Sequence, residues 1–289
     1  MLRKLAVSAA LALVAVAARG QEAPLPLARP ETQKVSPAGL ARLSATLRRD
    51  VDEARHAGVV ALVARGGRIV HFEAIGFRDL EARLPMEQDT IVRIYSMSKI
   101  VTSVAVLMLM EDGRLNLDDP VDRYLPALAN PRVFVGGTAD RPILADAKRP
   151  VTIRHLLTHT SGYIYGSDGV LGQIWGRVKP LESENLDVFV EKVAKLPLRR
   201  QPGEEFEYSI STDILGALVQ RVSGQPLGQF LEERIFAPLG IKDTGFVVPA
   251  TKLDRVAKVY RRNAEGRLVV AEDVIPPTGR GMALSLIHI

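Results

Sequence analysis

The sequence predicts an α/β fold of the α+β type: an antiparallel sheet flanked by helices, joined to an all-helical region at about 96–245. Two β-rich runs, 59–63 and 69–74, surround the turn Arg-Gly-Gly-Arg at 65–68, which is a typical hairpin signal. Because two strands alone are marginally stable, we expect at least one further strand from elsewhere in the chain. Between 96 and 240, helix and loop patterns prevail with little strand character. β character then returns in three short segments: 247–248, 257–260 and 268–270.

The first twenty residues have the features of an export signal. Arg3 and Lys4 precede an uncharged apolar stretch, and the small-x-small sequence that ends at Gly20 suits cleavage. The stretch is short and rich in Ala, and no stop-transfer pattern follows, so we expect no stable membrane anchor. We therefore predict a periplasmic or secreted protein that is cleaved near Gly20. Its predicted parts are a signal peptide at 1–20, a Pro-rich linker at 21–35 and one domain at 36–289.

Composition excludes several classes of function. With 289 residues and 47% hydrophobic content, the chain can bury a large core. It has no Cys, which rules out disulfides, a thiolate nucleophile and Cys-based zinc sites. The net charge of +5 falls towards neutrality without the basic N-terminal segment, and the remaining charges alternate in sign. This is not the clustered Lys and Arg footprint of a nucleic-acid-binding protein, so we expect no such partner.

Helix signals recur along the chain. Ser36 and Pro37 form an N-cap and a first helical residue, and Leu residues at helical spacing predict a helix that ends at about residue 57. Thr152 is placed to cap a second, short helix. The segment 130–150, rich in Gly, Ala and Pro, is predicted to be a loop. The later helices are predicted at 153–158, 186–194, 213–222 and 226–236.

The chain is organised around one stretch, 90–113, in which a polar Ser-Met-Ser-Lys step leads into an apolar run. The run is too short to span a bilayer, and Gly113 stands where a left-handed C-cap is favoured. We therefore predict a helix from Ser96 to Asp112. Because its residues are apolar on nearly every side, we expect other elements to enclose it.

Ser96 and Lys99, at the start of this helix, are candidates for a nucleophile and its base. They are three residues apart and share a helix face, so the amine can approach the hydroxyl. A Ser hydroxyl is a poor nucleophile unless a neighbouring base takes its proton, and Lys99 can do so only in its neutral form. The helix N-terminus adds a partial positive charge that favours a developing oxyanion. Taken alone, Ser-x-x-Lys is better explained as a capping Ser with a surface Lys, so the rest of the chain must decide.

Further motifs occur in the order that is typical of one superfamily. They are Asp-Thr at 89–90 before Tyr-Ser-Met-Ser-Lys at 95–99, Glu-Asp-Gly at 111–113 with Leu-Asp-Asp-Pro-Val at 117–121, Thr-Ile-Arg-His-Leu-Leu-Thr-His-Thr-Ser-Gly at 152–162, and Gln-Pro-Gly at 201–203 ahead of Tyr208-Ser209. Over residues 37–281 the chain thus resembles the class C β-lactamase-related serine hydrolases, which include penicillin-binding-protein-like enzymes and family VIII esterases. The resemblance implies a β-lactamase/transpeptidase-like fold.

The resemblance implies roles for five residues. Ser96 corresponds to the acylated nucleophile and Lys99 to its base or proton relay. Tyr208 corresponds to the second general acid/base, which requires a nearby cation to lower the pKa of the phenol. Tyr95 and Ile210 stand at positions expected to contact substrate. Lactam-recognising members carry Asn at the position of Ile210. Ile cannot pair with a substrate amide, so the resemblance favours ester substrates over lactams.

The family completes its sheet with C-terminal strands and a C-terminal helix, and it carries a third motif, Lys-Thr-Gly or His-x-Gly, well downstream of residue 281. Residues 284–289 do not continue this pattern, so we expect a C-terminally truncated chain. Loss of one oxyanion donor lowers turnover by about 10² to 10³. Unpaired strand edges also destabilise such a fragment, so inactivity is one of the expected outcomes.

Two other types of site fit less well. His155 and His159 have the i, i+4 spacing of a zinc-binding helix, but the metalloprotease pattern needs Glu beside the first His, where this chain has Leu156. We therefore expect no metal and assign the two His residues to support of the cleft. No Ser has the Gly-x-Ser-x-Gly flanks of an α/β-hydrolase.

We therefore expect an exported serine hydrolase that forms an acyl-enzyme on Ser96 and acts on a small-molecule ester, without a metal or organic cofactor. β-Lactamase and D-amino-acid peptidase activities, which use amide substrates, are the alternatives within this class. A non-catalytic cell-wall-binding or sensor module is the alternative from another class. The sequence does not indicate an oligomeric state.

Overall fold

A computed structural model of the chain describes residues 25–166 and 169–271. The predicted signal peptide at 1–20 and the final segment at 284–289 lie outside the described residues. Within them, helices accompany three small antiparallel sheets, so the predicted α+β class is confirmed.

Helix α1, Pro37–Asp52, begins as the sequence predicts and ends earlier. The Ser36 hydroxyl accepts the N–H of Gly39 at 3.1 Å and so caps the first turn. The helix stops five residues before the predicted end because Ala54 adopts a left-handed backbone, with φ 51°. The N–H groups of Ala54 and Arg55 then bond back to carbonyls of the last turn, which closes the helix without a glycine.

The predicted hairpin is present as strands β1, Gly58–Arg65, and β2, Arg68–Asp79. Arg65 pairs with Arg68 across a two-residue turn, in which both glycines have positive φ, 58° and 68°, as this tight connection requires. The further strand that two strands need is the short β3, Leu84–Pro85, which pairs with β2.

The described part of the predicted linker contacts this sheet. Leu27 forms a parallel bridge with Ile69, in which the Ala28 N–H donates to the Ile69 carbonyl and the Ile69 N–H donates to the Pro26 carbonyl, both at 2.9 Å. A 3₁₀ turn, Pro30–Gln33, follows. The described part of the linker is therefore attached to β2 by backbone hydrogen bonds.

The prediction of a loop at 130–150 was wrong, because this segment forms a hairpin of β4, Arg132–Gly137, and β5, Pro142–Asp146. β4 holds three β-formers and β5 only one, which are too few to stand out beside the Gly and Pro residues. Tertiary pairing supplies the missing support, since the Phe134 N–H donates to the Leu198 carbonyl and the Leu198 N–H donates to the Arg132 carbonyl, both at 2.8 Å.

The described part of the helical region contains five α-helices in predicted segments and one that the pattern did not reveal. The predicted segment at 226–236 is α-helical only at its start and then continues as a π-helical turn, Glu232–Phe236. The helices are α2, Ser98–Glu111; α3, Ile153–Leu157; α4, Gly169–Val178, which was not predicted; α5, Leu186–Val193; α6, Ser211–Ser223; and α7, Leu227–Leu231.

A third sheet lies near the end of the described chain. It consists of β6, Tyr260–Arg262, and β7, Leu268–Val270, which pair antiparallel. The predicted strand at 268–270 is confirmed, and that at 257–260 overlaps β6 only at Tyr260. Residues 247–248 belong to no strand of the described part.

Helix α2 packs against α6 at the centre of the main hydrophobic core. Ala105, Val106 and Leu109 on α2 are fully buried. Gly113 has φ 70° and closes α2 as a left-handed C-cap, as predicted. These contacts fix the axis of α2 and hence the position of its N-terminus.

The expectation that other elements enclose α2 on nearly every side was wrong for one face of the helix. Ile100 is 68% exposed, Val104 41% and Leu107 39%. These residues are spaced i, i+4 and i+7, so they form one apolar stripe. The stripe reflects the nearly uniform apolar composition of α2, from which no burial pattern can be deduced.

No helix within residues 25–166 and 169–271 combines the length and apolar character needed to cross a membrane.

Leu109→Ala should lower the free energy of unfolding by about 2 to 5 kcal/mol, because it opens a cavity in the fully buried core. Leu107→Ala on the exposed face of the same helix is the matched control and should cost less than about 1 kcal/mol. Urea unfolding followed by circular dichroism measures both. Equal losses in the two variants would contradict the assignment of the buried face.

Candidate active site

Ser96 lies in a 3₁₀ turn, Tyr95–Met97, that runs directly into α2. Ser96 therefore precedes the α-helix by two residues. The sequence analysis placed it in the first turn of the helix, and that prediction was wrong. Tyr95 has φ 43°, a left-handed conformation that is unusual for a bulky residue. The Ser98 hydroxyl donates to the Tyr95 carbonyl, which helps to hold this turn. The Ser96 hydroxyl is thus presented at the solvent-exposed mouth of α2.

The three predicted catalytic residues come together around this hydroxyl. The Tyr208 hydroxyl donates to Ser96 Oγ at 2.6 Å, and the Lys99 ammonium donates to the same oxygen at 3.4 Å. Lys99 Nζ also lies 4.9 Å from the centre of the Tyr208 ring. Residues 112 positions apart in sequence therefore meet at one atom. Their chemical roles remain predictions.

The environment of Tyr208 lowers the pKa of its phenol. Partial burial acts in the opposite direction and raises it, but hydrogen bonds with Ser96 and Lys99 and the positive charge of Lys99 outweigh burial. The role predicted for Tyr208 requires a cation that lowers this pKa, and Lys99 is such a cation. The phenol is 46% exposed and therefore accessible from solvent.

Two residues that the sequence analysis did not select complete the surroundings of Lys99. Tyr165 lies beneath the amine, with its ring centre 5.2 Å from Nζ, and is stacked on Tyr208 at 5.9 Å. The Tyr165 hydroxyl donates to the carboxylate of Asp213 at 2.9 Å. Asp213 is only 6% exposed. A buried acid behind Lys99 therefore provides a negative charge for the site.

Burial raises the pKa of Asp213 to about 6, although the hydrogen bond from Tyr165 and the charge of Lys99 act to lower it. The sequence does carry a signal for this residue. A Ser-Thr-Asp triplet begins three residues after Tyr208 and opens α6 ahead of the apolar run 214–219, and all three side chains are buried. Buried polar groups of this kind need partners.

The two residues predicted to contact substrate lie in different environments. Tyr95 is 49% exposed beside Ser96, so its side chain is within reach of a bound molecule. Ile210 is fully buried at the N-terminus of α6, so its side chain has no surface to offer a substrate. The backbone turns Ile210 into the core directly after Ser209, and the substrate contact expected for it stays a prediction.

His155 and His159 use their imidazoles in separate hydrogen bonds. His155 Nδ1 accepts the Thr152 N–H at 3.2 Å and completes a capping box at the start of α3. His159 Nδ1 accepts the Ser209 N–H, also at 3.2 Å. Within the described chain no group of three or more His, Asp and Glu residues is placed to hold a metal ion.

Comparison with known proteins identifies the family. The family model described as Beta-lactamase matches residues 43–288, most of the chain. The chain belongs to the β-lactamase family. The resemblance drawn from the motifs is thereby confirmed, together with the β-lactamase/transpeptidase-like fold.

Two proteins that resemble this chain are named as esterases. Esterase EstB of Burkholderia gladioli is 37% identical over 252 residues, which cover 84% of this chain and 61% of EstB. Lovastatin esterase of Penicillium rubens is 35% identical over 209 residues, covering 71% of this chain and 52% of the esterase. The chain thus spans little more than half the length of these relatives.

A solved structure agrees with this grouping. EstCE1, described as a hydrolase with promiscuous acyltransferase activity, superimposes with a TM-score of 0.71 and 32% sequence identity. The match covers 86% of this chain and 63% of EstCE1.

Asp213→Asn should change the pH dependence of stability. The folded pKa of about 6 lies above the ordinary unfolded value of about 3.9, so the wild-type protein loses stability as the pH rises through this window. The variant keeps the acceptor for Tyr165 but cannot ionise. The free energy of unfolding of the variant, relative to that of wild type, should therefore rise by up to about 3 kcal/mol between pH of about 4 and about 7.5.

Urea unfolding at the two pH values measures this gain. Asp118→Asn is the control, because the hydrogen bond from Arg154 lowers the pKa of the exposed Asp118 and the sign is reversed. Removing Asp118 should cost stability only where its carboxylate is ionised. A difference between Asp213→Asn and wild type that stays constant with pH would show that Asp213 does not titrate in this range.

Proposed function

We propose that this chain is a serine hydrolase that cleaves carboxylic esters through an acyl-enzyme on Ser96. The observation that carries the proposal is the convergence of Tyr208 Oη at 2.6 Å and Lys99 Nζ at 3.4 Å on one exposed serine hydroxyl. An activated nucleophile needs a base within this distance. The esterase names of EstB and lovastatin esterase support the choice of reaction.

In the proposed acylation step, Tyr208 is the direct proton acceptor. Its hydroxyl lies closer to Ser96 than the Lys99 amine does, and its lowered pKa makes the phenolate more accessible than that of an ordinary tyrosine. The phenolate takes the Ser96 proton as Oγ attacks the ester carbonyl. Lys99 lies over the faces of two phenol rings, which attract a cation. It thus serves as electrostatic partner and proton relay.

The oxyanion of the tetrahedral intermediate would form beside the N-terminus of α2. The partial positive charge of that terminus favours negative charge on the former carbonyl oxygen. Tyr208 then returns its proton to the leaving alkoxide, and the alcohol departs. In the second half of the cycle Tyr208 takes a proton from water as the water attacks the acyl carbon. The bond from that carbon to Ser96 Oγ then breaks, Tyr208 returns the proton to Oγ, and the acid is released.

Two features support a small ester over a β-lactam or a D-amino-acid peptide. Position 210 provides a buried Ile and no amide that could pair with an acylamino side chain. The accessible rim carries an apolar side chain, since Phe206 is 66% exposed and meets the ring of His159, which stacks on Tyr208. Export to the periplasm or the medium is part of the proposal and rests on the signal-like sequence at 1–20.

Acyl transfer to an alcohol is a second candidate reaction. It is favoured by the open setting of Tyr208, which leaves room for an acceptor other than water, and by the acyltransferase activity named for EstCE1. Incubation with a p-nitrophenyl ester and an added alcohol separates the two reactions. A new ester in the product mixture indicates transfer, and free acid alone indicates hydrolysis.

Ser96→Ala should abolish turnover of p-nitrophenyl butyrate and prevent acylation while the fold is retained. Ser103→Ala on α2 is the matched control, because its hydroxyl donates to the Lys99 carbonyl, and it should keep near wild-type rates. Intact mass after brief incubation with substrate shows whether an acyl adduct forms. Turnover by folded Ser96→Ala at a wild-type rate would place the nucleophile elsewhere, and a folded wild-type chain that never acylates would favour a non-catalytic module.

The rate of acylation should rise with pH as Tyr208 ionises, with a midpoint below about 10, the ordinary pKa of Tyr. Tyr208→Phe should remove this rise and lower kcat by about 10² to 10⁴, the range for loss of a general acid/base. Tyr124→Phe removes a distant hydroxyl that donates to Asp119 and should leave the profile unchanged. A Tyr208→Phe enzyme that retains the alkaline rise would assign the titration to another group.

A further inference from the structure

His159 lies beside Tyr208 in the loop that follows α3. Its ring is half-buried and stacks on the Tyr208 phenol, with 4.9 Å between ring centres and 28° between planes. Phe206 meets the imidazole edge-on at 6.0 Å. The backbone of His159 is left-handed, with φ 54°, a conformation that His, Asn and Asp adopt more readily than most residues. His159 therefore forms one wall of the space that the phenol occupies.

His159 also binds the backbone on both sides of Tyr208. The Glu207 N–H donates to the His159 carbonyl at 2.7 Å. The Ser209 N–H donates to His159 Nδ1 at 3.2 Å. One residue thus holds the amides before and after Tyr208 and leaves its ring little freedom to shift. Because Nδ1 accepts a hydrogen bond, the neutral ring must carry its proton on Nε2.

A buried chain of hydroxyls extends this connection into the core. Ser209 Oγ is hydrogen-bonded to Ser211 Oγ at 2.8 Å, and Ser211 Oγ to Ser161 Oγ at 2.7 Å. All three serines are fully buried. Satisfied polar networks in a low-dielectric interior are rigid. The loop that carries His159 and the loop that carries Tyr208 are therefore joined by side chains as well as by backbone.

The surrounding charges keep the imidazole neutral. Burial lowers the pKa of His159, and the positive charge of Lys99 lowers it further. The other titratable groups near it are Tyr208, on which it stacks, and Glu207, whose carboxylate is paired with Arg199 at 2.7 Å. A neutral ring retains the Nδ1 lone pair that the Ser209 N–H requires.

We propose that His159 is a positioning residue for Tyr208: by accepting the Ser209 N–H and stacking on the phenol, it holds Tyr208 Oη in contact with Ser96. The inference rests on the proposed function for its kinetic consequence, but the positioning itself can be measured without turnover. His159 touches no reacting atom in this assignment. It acts through the placement of the phenol.

Two variants separate the acceptor from the rest of the side chain. His159→Asn places an amide oxygen near the position of Nδ1, and His159→Gly removes the acceptor altogether. Both residues tolerate the positive φ, so neither adds backbone strain. His159→Gly should lower kcat for p-nitrophenyl butyrate by at least about 10-fold with little change in KM, because a misplacement of about 1 Å costs up to about 10² in rate. His159→Asn should remain within about 3-fold of wild type.

His155→Asn is the matched control. His155 also accepts a backbone N–H through Nδ1, and burial also lowers its pKa, but it caps α3 and does not contact Tyr208. His155→Asn should keep the wild-type kcat, even where a weaker cap on α3 lowers its thermal stability. Should His159→Gly fail to fold, His159→Gln replaces it, because its amide lies one bond too far out to accept the Ser209 N–H.

The decisive readout is the pKa of Tyr208, measured by NMR on protein labelled with ¹³C at tyrosine Cζ and assigned with Tyr208→Phe. In His159→Asn the pKa should stay below the ordinary value, because the phenol keeps its contacts with Ser96 and Lys99. In His159→Gly it should rise towards about 10. Equal Tyr208 pKa values in the two folded variants, or an unchanged kcat in His159→Gly, would overturn the assignment. Absence of acylation at Ser96 in the wild-type protein would contradict the proposed function but not the positioning of Tyr208 by His159.

Discussion

The site depends on one hydrogen bond between parts of the chain that are far apart in sequence. Tyr208 Oη and Ser96 Oγ meet at 2.6 Å only because α2 and α6 are packed together in the core. Fully buried side chains such as Leu109 on α2 and Ile214 on α6 fix the distance between the helices, and Ser96 and Tyr208 lie just before their N-termini. Close packing in protein interiors transmits displacement. The precision of the site is therefore a property of the core.

The buried carboxylate beside Lys99 supports the proposed chemistry at a cost in stability. Asp213 is buried, and its carboxylate is satisfied by one hydrogen bond from Tyr165 and by the charge of Lys99. Burying a charged group is costly unless it is paired in this way. A fully apolar replacement would pack the core at lower cost but would leave Lys99 without a negative partner. Burial raises the pKa of Asp213 against the charge of Lys99, whereas the same charge helps to lower the pKa of Tyr208.

Features that local sequence determines were predictable, and features that distant packing determines were not. The cap at Ser36, the Gly-Gly turn and the C-cap at Gly113 depend on a few adjacent residues, and each occurs as expected. Ser96, Lys99 and Tyr208 were found through motifs, which preserve spacing. The hairpin of β4 and β5 depends on pairing with Leu198, more than fifty residues away. The burial of Ile210 and the contact of Tyr165 with Asp213 likewise exist only once the helices have docked.

The placement of Tyr208 on the loop that leads into α6, and not within the helix, has a consequence for how the protein would be inactivated. Loops open locally at a lower free energy than core helices, which open only with global unfolding. A brief excursion of residues 206–209 would separate the phenol from the serine while α2 and α6 stayed paired. Catalytic competence would then fade under mild heat or denaturant before any loss of helix content, and it would return as soon as the loop closed.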